Sequence, residues 1–435
     1  MTNDNFVLGL DIGTTKTCAM MGEPNERGQV EIIGVGVCPS TGLRKGVVVN
    51  IEATVQSIRN AVDAAEVMGG HEVRLCWPGI GGNHIEGINS RGVVGVTGRN
   101  KDNKNLKEIA QSDIDRVIDA AKAVAIPMDR RILQVIPQNF TVDNQKGIRD
   151  PLNMIGVRLE SDVHIITCSV TSEQNLIKCV NGAKLVANEV VLQTLAAGRA
   201  VLTPEEMEMG VSLIDLGGGT TDVLVYSEGV PFSNISIPVG STLVTSDISK
   251  MKAISYDMAE KLKIEDGCCW EGVMDTDTDI PVPGVGGRPP MLIPRSQILA
   301  IIRPRMEEIF LMVKEKLDKV YFNRPLGAGI VLTGGGALLS GVAELAAHIF
   351  KVPVRIGIPL PIAGLSGEYR SPVFSTAVGL LLLGFEREQQ AYMSANPEVD
   401  IRPSRSARPA HEKKGFSGLH SLIDKFFAWL GNDFV

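Results

Sequence analysis

Apolar residues gather in short blocks from the start of the chain. Phe6-Val7-Leu8-Gly9-Leu10 has no polar break and reads as a buried strand. Strands over 17–22 and 30–37 follow it and complete a hairpin-rich opening. From 51 to 68 the period changes: Ile51, Val55, Ile58, Val62 and Ala65 recur on one helical face. Residues 73–77 predict a further buried strand. Residues 84–163 read as an inserted unit with short strands at both ends. Within it, a helix over about 112–124 opens at Ser112-Asp113-Ile114-Asp115, and a strand pair lies near 131–142. The pattern then resets to strand 164–170, helix 172–182, strand 190–192 and helix 193–202. A second strand-loop-strand start covers 211–226. Residues 230–305 read as another insertion, ending in a Pro- and Gly-rich loop at 281–290. Helix 305–320, strand 329–332, a glycine turn with its helix, and a last helix over 372–390 complete the body.

One pattern occurs twice. A strand, an Asp-x-Gly turn with paired threonines and a second strand stand at 7–21 and again at 211–226. The turns are Asp11-Ile12-Gly13-Thr14-Thr15-Lys16 and Asp215-Leu216-Gly217-Gly218-Gly219-Thr220-Thr221-Asp222. Two halves built alike predict a duplicated α/β fold with a cleft between them. A phosphate needs close backbone N–H groups with no Cβ in the way, which Gly13 and Gly217 to Gly219 supply. Thr14, Thr15, Thr220 and Thr221 add hydroxyls, and Lys16 adds a point charge. Asp11 and Asp215 suit Mg²⁺, which keeps most of its water shell. Either turn alone also fits an ordinary hairpin; the repetition in two halves favours phosphate binding, with ATP as the ligand. Gly334-Gly335-Gly336-Ala337 then offers a third contact toward ribose and adenine, although a plain strand-to-helix turn explains those glycines equally well.

Composition excludes more than it assigns. At 435 residues the chain exceeds one core and calls for at least two domains. A net charge of −7 gives no reason to expect a nucleic-acid partner. The seven cysteines form no CxxC or Cys/His cluster, so a reducing compartment without a structural metal is expected. The pair Cys268-Cys269 reads as core or loop thiols more readily than as a redox site. Asp4 and Asp11 interrupt any leader-like run, and a cytosolic body is expected.

Near residue 394 the composition shifts. Residues 393–415, punctuated by Pro397, Pro403 and Pro409, read as a flexible linker. On a helical wheel of 416–431, Phe416, Leu419, Leu422, Ile423, Phe426, Phe427, Trp429 and Leu430 share one arc. Such a helix on a tether is expected to bind a membrane surface rather than dock on the body. Lys413 and Lys414 precede it and favour an anionic surface by roughly 1 kcal/mol each.

The three glycine loops resemble those of the actin, sugar-kinase and heat-shock chaperone ATPase superfamily. Further stretches are similar to the FtsA family of bacterial cell-division proteins. Among them are Ile32-Ile33-Gly34-Val35-Gly36, Val135-Ile136-Pro137-Gln138, Gly147-Ile148-Arg149-Asp150-Pro151 and Val163-His164-Ile165-Ile166-Thr167-Cys168. The resemblance runs to about residue 385 and departs from the family pattern at 75–81. It implies an actin-like, ribonuclease H-like duplicated body with a small inserted α+β subdomain at 84–163. The first half would be 1–83 with 164–200 and 372–392, and the second 201–229 with 306–371. Glu260 and Lys263 would flank the adenosine, although a solvated helix face looks the same. The 230–305 subdomain would receive the C-terminal peptide of FtsZ, with Arg305 and Glu308 at that contact; a mixed-charge surface helix looks alike. Gln193 matches the place where the superfamily orients the attacking water, or is a helix-start glutamine without that role. A glutamine positions water but is a poor base, so weak hydrolysis is expected.

The resemblance thus implies an ATP-binding adaptor at the cytoplasmic face of the membrane. It would tether FtsZ filaments, self-assemble at the septum and meet other divisome proteins. A small-molecule kinase of the same fold is the alternative, but no aspartate base stands out. A peptide-binding pilus-assembly relative is another, but it gives no reason for the C-terminal amphipathic helix.

Overall fold

The structure is a computed structural model describing residues 6–97, 107–274, 276–283, 289–321 and 326–395. The first apolar block forms β1 (Val7–Ile12), whose six residues are all buried. It pairs antiparallel with β2 (Lys16–Pro24), which pairs antiparallel with β3 (Val30–Pro39). A small hairpin, β4 (Leu43–Arg44) and β5 (Val47–Val48), leads into α1 (Ile51–Gly69). Asn50 caps that helix by accepting from the Ala53 amide at 3.1 Å, and Gly70 ends it in the left-handed conformation. β6 (Leu75–Ile80) then runs parallel to β1.

The chain next builds a unit with its own core. Its elements are β7 (Glu86–Gly95), β8 (Lys107–Glu108), α2 (Gln111–Lys122), β9 (Arg130–Val142), β10 (Gln145–Ile148), β11 (Ile155–Gly156) and β12 (Arg158–Ser169). Four of the strands form a sheet in the order β10-β9-β12-β7. Ile114, Val117 and Ile118 of α2 pack on Val163 and Ile165 of β12. The strand expected over 164–170 is the second part of this longer strand. No break falls at 163, because β12 serves two cores: Leu159 to Ile165 lie in the inserted unit, Ile166 and Cys168 in the first half.

α3 (Val170–Gly182) returns the chain to the first half. β13 (Val186–Ala187) and β14 (Val191–Leu192) both pair parallel to β6, giving the order β13-β6-β1-β2-β3 with β14 beside β6. α4 (Gln193–Val201) and α5 (Pro204–Met209) lead to the second half. There β15 (Val211–Leu216), β16 (Thr221–Ser227) and β17 (Val230–Ile237) repeat the antiparallel series of β1 to β3. α6 (Thr242–Lys252), α7 (Tyr256–Glu265), the hairpin β18 (Asp279–Val282) with β19 (Met291–Pro294), and α8 (Arg295–Tyr321) follow. β20 (Gly329–Thr333) runs parallel to β15, and α9 (Val342–Phe350) and β21 (Val354–Ile356) complete the order β17-β16-β15-β20-β21. The last helix, α10 (Ser375–Ala395), packs on α4 and β1 of the first half.

Two expected boundaries shift. β17 is hydrogen-bonded to β16 as far as Ile237, so it belongs to the second sheet and not to a 230–305 unit. α8 begins at Arg295 and crosses the 305/306 division unbroken, with Pro304 inside it. All seven cysteines are free, and Cys268 and Cys269 are fully buried. No described helix is long and apolar enough to cross a membrane. Phe416, Leu419, Leu422, Ile423, Phe426, Phe427, Trp429 and Leu430, with most of the 393–415 stretch, lie outside the described residues.

Candidate functional site

The two Asp-x-Gly turns are one structure built twice. Asp11 pairs across its hairpin with Cys18, and Asp215 pairs with Asp222. In each turn the glycine amide donates back across the loop. Gly13 N–H reaches the Lys16 carbonyl at 2.9 Å, and Gly217 N–H reaches that of Thr220 at 3.0 Å. This register makes Thr14-Thr15 equivalent to Gly218-Gly219, and Lys16-Thr17 equivalent to Thr220-Thr221. The threonine pairs that marked the repeat are therefore not in corresponding places.

The turns face each other closely. A Cβ on Gly218 would lie 2.4 Å from Thr15 Cγ2, and one on Gly219 would lie 2.6 Å from Thr14 Oγ1. Between the halves is a cavity of about 300 Å³. Its walls continue from these turns to Gly334, Gly335 and Gly336, to Ser241 and Val244 of α6, to Glu260 and Lys263 of α7, and to Gln193.

Carboxylates dominate the floor. Asp11 accepts from Lys16 Nζ at 3.1 Å and from Gln193 Nε2 at 3.0 Å. Burial works against the Lys16 charge, but Asp11 and other nearby anions hold its pKa above the ordinary lysine value. Asp215 takes a long bond of 3.5 Å from Thr376 Oγ1. Its pKa is pushed up to about 7, first by burial and then by Asp222 and Asp11. Burial also raises Asp222, against the hydroxyls of Ser236 and Thr220, which donate to it. At the other end, Lys263 Nζ donates to Glu260 at 2.7 Å and to Thr245 Oγ1 at 3.0 Å, and Thr245 also donates to Glu260.

The fold gathers most of the sequence candidates here. Asp11, Gly13, Thr14, Thr15, Lys16, Gln193, Asp215, Gly217, Gly218, Gly219, Thr220, Glu260, Lys263, Gly334, Gly335 and Gly336 all line the cavity. Two do not. Thr221 is fully buried and donates to the Val239 carbonyl at 2.8 Å. Strand alternation sends Thr220 and Asp222 to the cleft and Thr221 to the opposite face. Ala337 lies in a 3₁₀ turn and packs into the second core, while its neighbour Leu338 lines the cleft. Arg305 and Glu308 stand apart on α8, where Arg305 Nε donates to Asp247 of α6 at 2.6 Å and Nη1 to Glu308. Asp222 is the main residue left unassigned by the sequence reading, and the two-residue step from Thr220 would have found it. Gly46, Thr376 and Met306 reach the cleft from distant segments and carry no local signal.

Two α/β halves opening on matched turns, with an α+β unit inserted in the first, define an actin-like fold. Solved structures of this fold are similar to the chain. One is the PilM-PilN type IV pilus biogenesis complex, at a TM-score of 0.61 and 16% identity over 87% of this chain and 98% of that one. Another is MreB5 of Spiroplasma citri bound to ADP, at a TM-score of 0.50 and 15% identity over 91% and 99%. At the sequence level, the family profile "Cell division protein FtsA" matches residues 212–379, and "SHS2 domain inserted in FTSA" matches 82–167. Cell division protein FtsA of Pseudomonas aeruginosa is 43% identical over 405 residues, covering 91% of this chain and 95% of that protein. The Escherichia coli K12 protein of the same description is 36% identical over 440 residues, covering 100% and 99%. The chain belongs to the FtsA family of cell-division proteins.

Proposed function

We propose that the cleft binds ATP with Mg²⁺, and that this state governs an adaptor that tethers FtsZ filaments to the membrane and self-assembles at the septum. The observation that carries the nucleotide reading is the pair of matched turns, which aim glycine backbone at one cavity from both sides. Gly13 and Gly217 to Gly219 leave room for phosphate oxygens, and Lys16 supplies a nearby charge. Glu260 and Lys263 sit at the far end, where a ribose would lie. MreB5, which shares the fold, is bound to ADP.

The residues present also fit a hydrated divalent ion. Asp11, Asp215 and Asp222 converge on the phosphate side, and the Asp215 pKa is raised first by burial and then by the charges of Asp222 and Asp11. An ion that keeps most of its waters needs few direct carboxylate contacts. Bound Mg²⁺ would neutralise phosphate charge. The chain's own contribution to hydrolysis rests on Gln193. Its Nε2 is held by Asp11, which leaves its carbonyl oxygen to accept from a water; a neutral amide orients that water but takes no proton. Turnover is therefore slow, and the nucleotide sets conformation and assembly.

FtsA membership supports the division role. The C-terminal segment supports the membrane role by its apolar arc and its tether, and Arg305 and Glu308 are the residues proposed to meet the FtsZ tail. The test is co-sedimentation of the full chain with anionic liposomes and FtsZ, with and without ATP. Recruitment of FtsZ to lipid by the wild type, abolished in Trp429→Glu or Phe426→Glu, is the expected result. Unchanged liposome binding by those variants sinks the membrane reading, and failure of an FtsZ tail peptide to retain the protein sinks the tether.

A further inference from the structure

The small hairpin β4–β5 carries a residue that its backbone does not favour. Leu43 pairs with Val48 and Arg44 with Val47, so Lys45 and Gly46 form a two-residue turn. Both have positive φ, 50° and 77°. A turn of that kind prefers Asn-Gly or Gly-Gly, because a side chain at the first position is strained. Among the described residues, seven other than glycine have positive φ, and only Lys45 adjoins a residue lining the cleft.

The tip touches both turns. The Gly46 amide donates to Thr14 Oγ1 of the first turn at 3.1 Å. A Cβ on Gly219 of the second turn would lie 2.9 Å from Lys45 Cα. A Cβ on Gly46 would lie 2.8 Å from the Gly81 carbonyl, and one on Gly81 would lie 2.2 Å from Gln193 Oε1. The hairpin tip thus meets both turns and Gly81, and Gly81 in turn packs against Gln193.

Charge gives the tip a purpose. The cavity is lined by four carboxylates, Asp11, Asp215, Asp222 and Glu260, and by two ammonium groups, Lys16 and Lys263. Both lysines are already paired with acids, at 3.1 Å and 2.7 Å. Lys45 is exposed and has no ion pair among the described residues. Its backbone packs against Gly219 of the second turn, and its flexible stem is long enough to bring the ammonium group to a polyphosphate end lying between the turns.

We propose that Lys45 is the residue that reads the terminal phosphate, so that the β4–β5 hairpin makes the cleft prefer a nucleoside triphosphate to a diphosphate. This rests on the nucleotide reading above. The positive φ supplies a control on folding: Lys45→Gly relieves backbone strain and is expected to keep or raise thermal stability. The experiment titrates full-length wild type, K45G and K45R with fluorescent ATP and ADP analogues in Mg²⁺. The expected result is a loss of about tenfold or more in ATP affinity for K45G, less than about threefold in ADP affinity, and largely restored ATP preference in K45R. Wild type that binds both nucleotides, with the same ATP-to-ADP ratio in K45G, overturns this inference alone. Wild type that binds neither overturns the nucleotide reading and this inference with it.

Discussion

At the scale of single residues, the cleft trades stability for charge. Folded Asp215, with its pKa near 7, keeps a proton that the unfolded chain releases near 3.8. Between about pH 4 and pH 7 the folded state therefore binds more protons than the unfolded one. The contribution of this group to stability falls as pH rises through that window, by at most about 1.4 kcal/mol per pH unit. Asp215→Asn removes the ionisation. In cation-free buffer at pH 8 the variant should unfold at a higher urea concentration than wild type, and the gap should narrow toward pH 4. A gap of the same size at both ends would show that Asp215 ionises no differently in the folded protein. Magnesium should close the gap at pH 8 by stabilising the wild type, since an ion near Asp215 offsets the neighbouring Asp222 and Asp11.

At the scale of elements, what the sequence revealed depended on how local the signal was. β1 and the turn after it were legible because six buried residues and a glycine turn follow one another in the chain. α1 was legible because Ile58, Val62 and Ala65 of its buried face recur at helical spacing. β12 was cut in two because nothing in its own alternation records that its two ends serve different cores. The sequence reading starts this helix at 305, but α8 begins at Arg295 and carries Pro304 inside it, because Ile298, Ile302, Met306 and Ile309 are all held by the second core. The cleft followed the same rule. Residues within a turn motif were legible, Thr221 excepted; Gln193, Glu260 and Lys263 came from the family resemblance, and Gly46 and Thr376 became neighbours of the turns only through tertiary packing. Arg305 on α8 shows how an element-level contact bears on a binding test. Its ion pair with Asp247 ties α8 to α6, but both side chains are about a quarter exposed, at 26% and 23%. Arg305→Ala should cost less than about 1 kcal/mol. That corresponds to a fall in melting temperature of no more than roughly 2–4 °C. A large loss of FtsZ-peptide retention in this variant, alongside so small a thermal shift, would therefore report the contact itself; a collapse in melting temperature would mark Arg305 as a structural tie instead.

At the scale of the whole molecule, the inserted unit does not hang free from the first half; it rests on the second. β7, β9 and β12 all pack against β17. Gln138 Nε2 reaches the Pro231 and Phe232 carbonyls at 3.4 and 3.3 Å. His164 of β12, only 2% exposed, stands between Asn89 of β7 at 2.6 Å and Asn234 of β17 at 2.8 Å. β17 also carries Ser236, which donates to Asp222, so the strand that holds the inserted unit also reaches the cleft. Burial lowers the His164 pKa to about 4, with the Asn234 bond opposing it. The unfolded chain takes up this proton near 6.5, so between about 6.5 and 4 it binds more protons than the folded state. Stability contributed by His164 is therefore present above that window and lost as pH falls through it, opposite in sign to Asp215 over much of the same range. His164→Gln keeps an amide that can bond both asparagines and removes the titration. Subtracting its urea-unfolding free energies from those of wild type between pH 7.5 and 5 should leave a difference that moves against wild type on acidification, by up to about 1.4 kcal/mol per pH unit. His84, also held near 4 by burial and Arg130, remains in both proteins and cancels in that subtraction. A pH-independent difference would mean that His164 titrates alike in both states, and the junction would then owe its strength to packing on β17 rather than to a buried neutral imidazole.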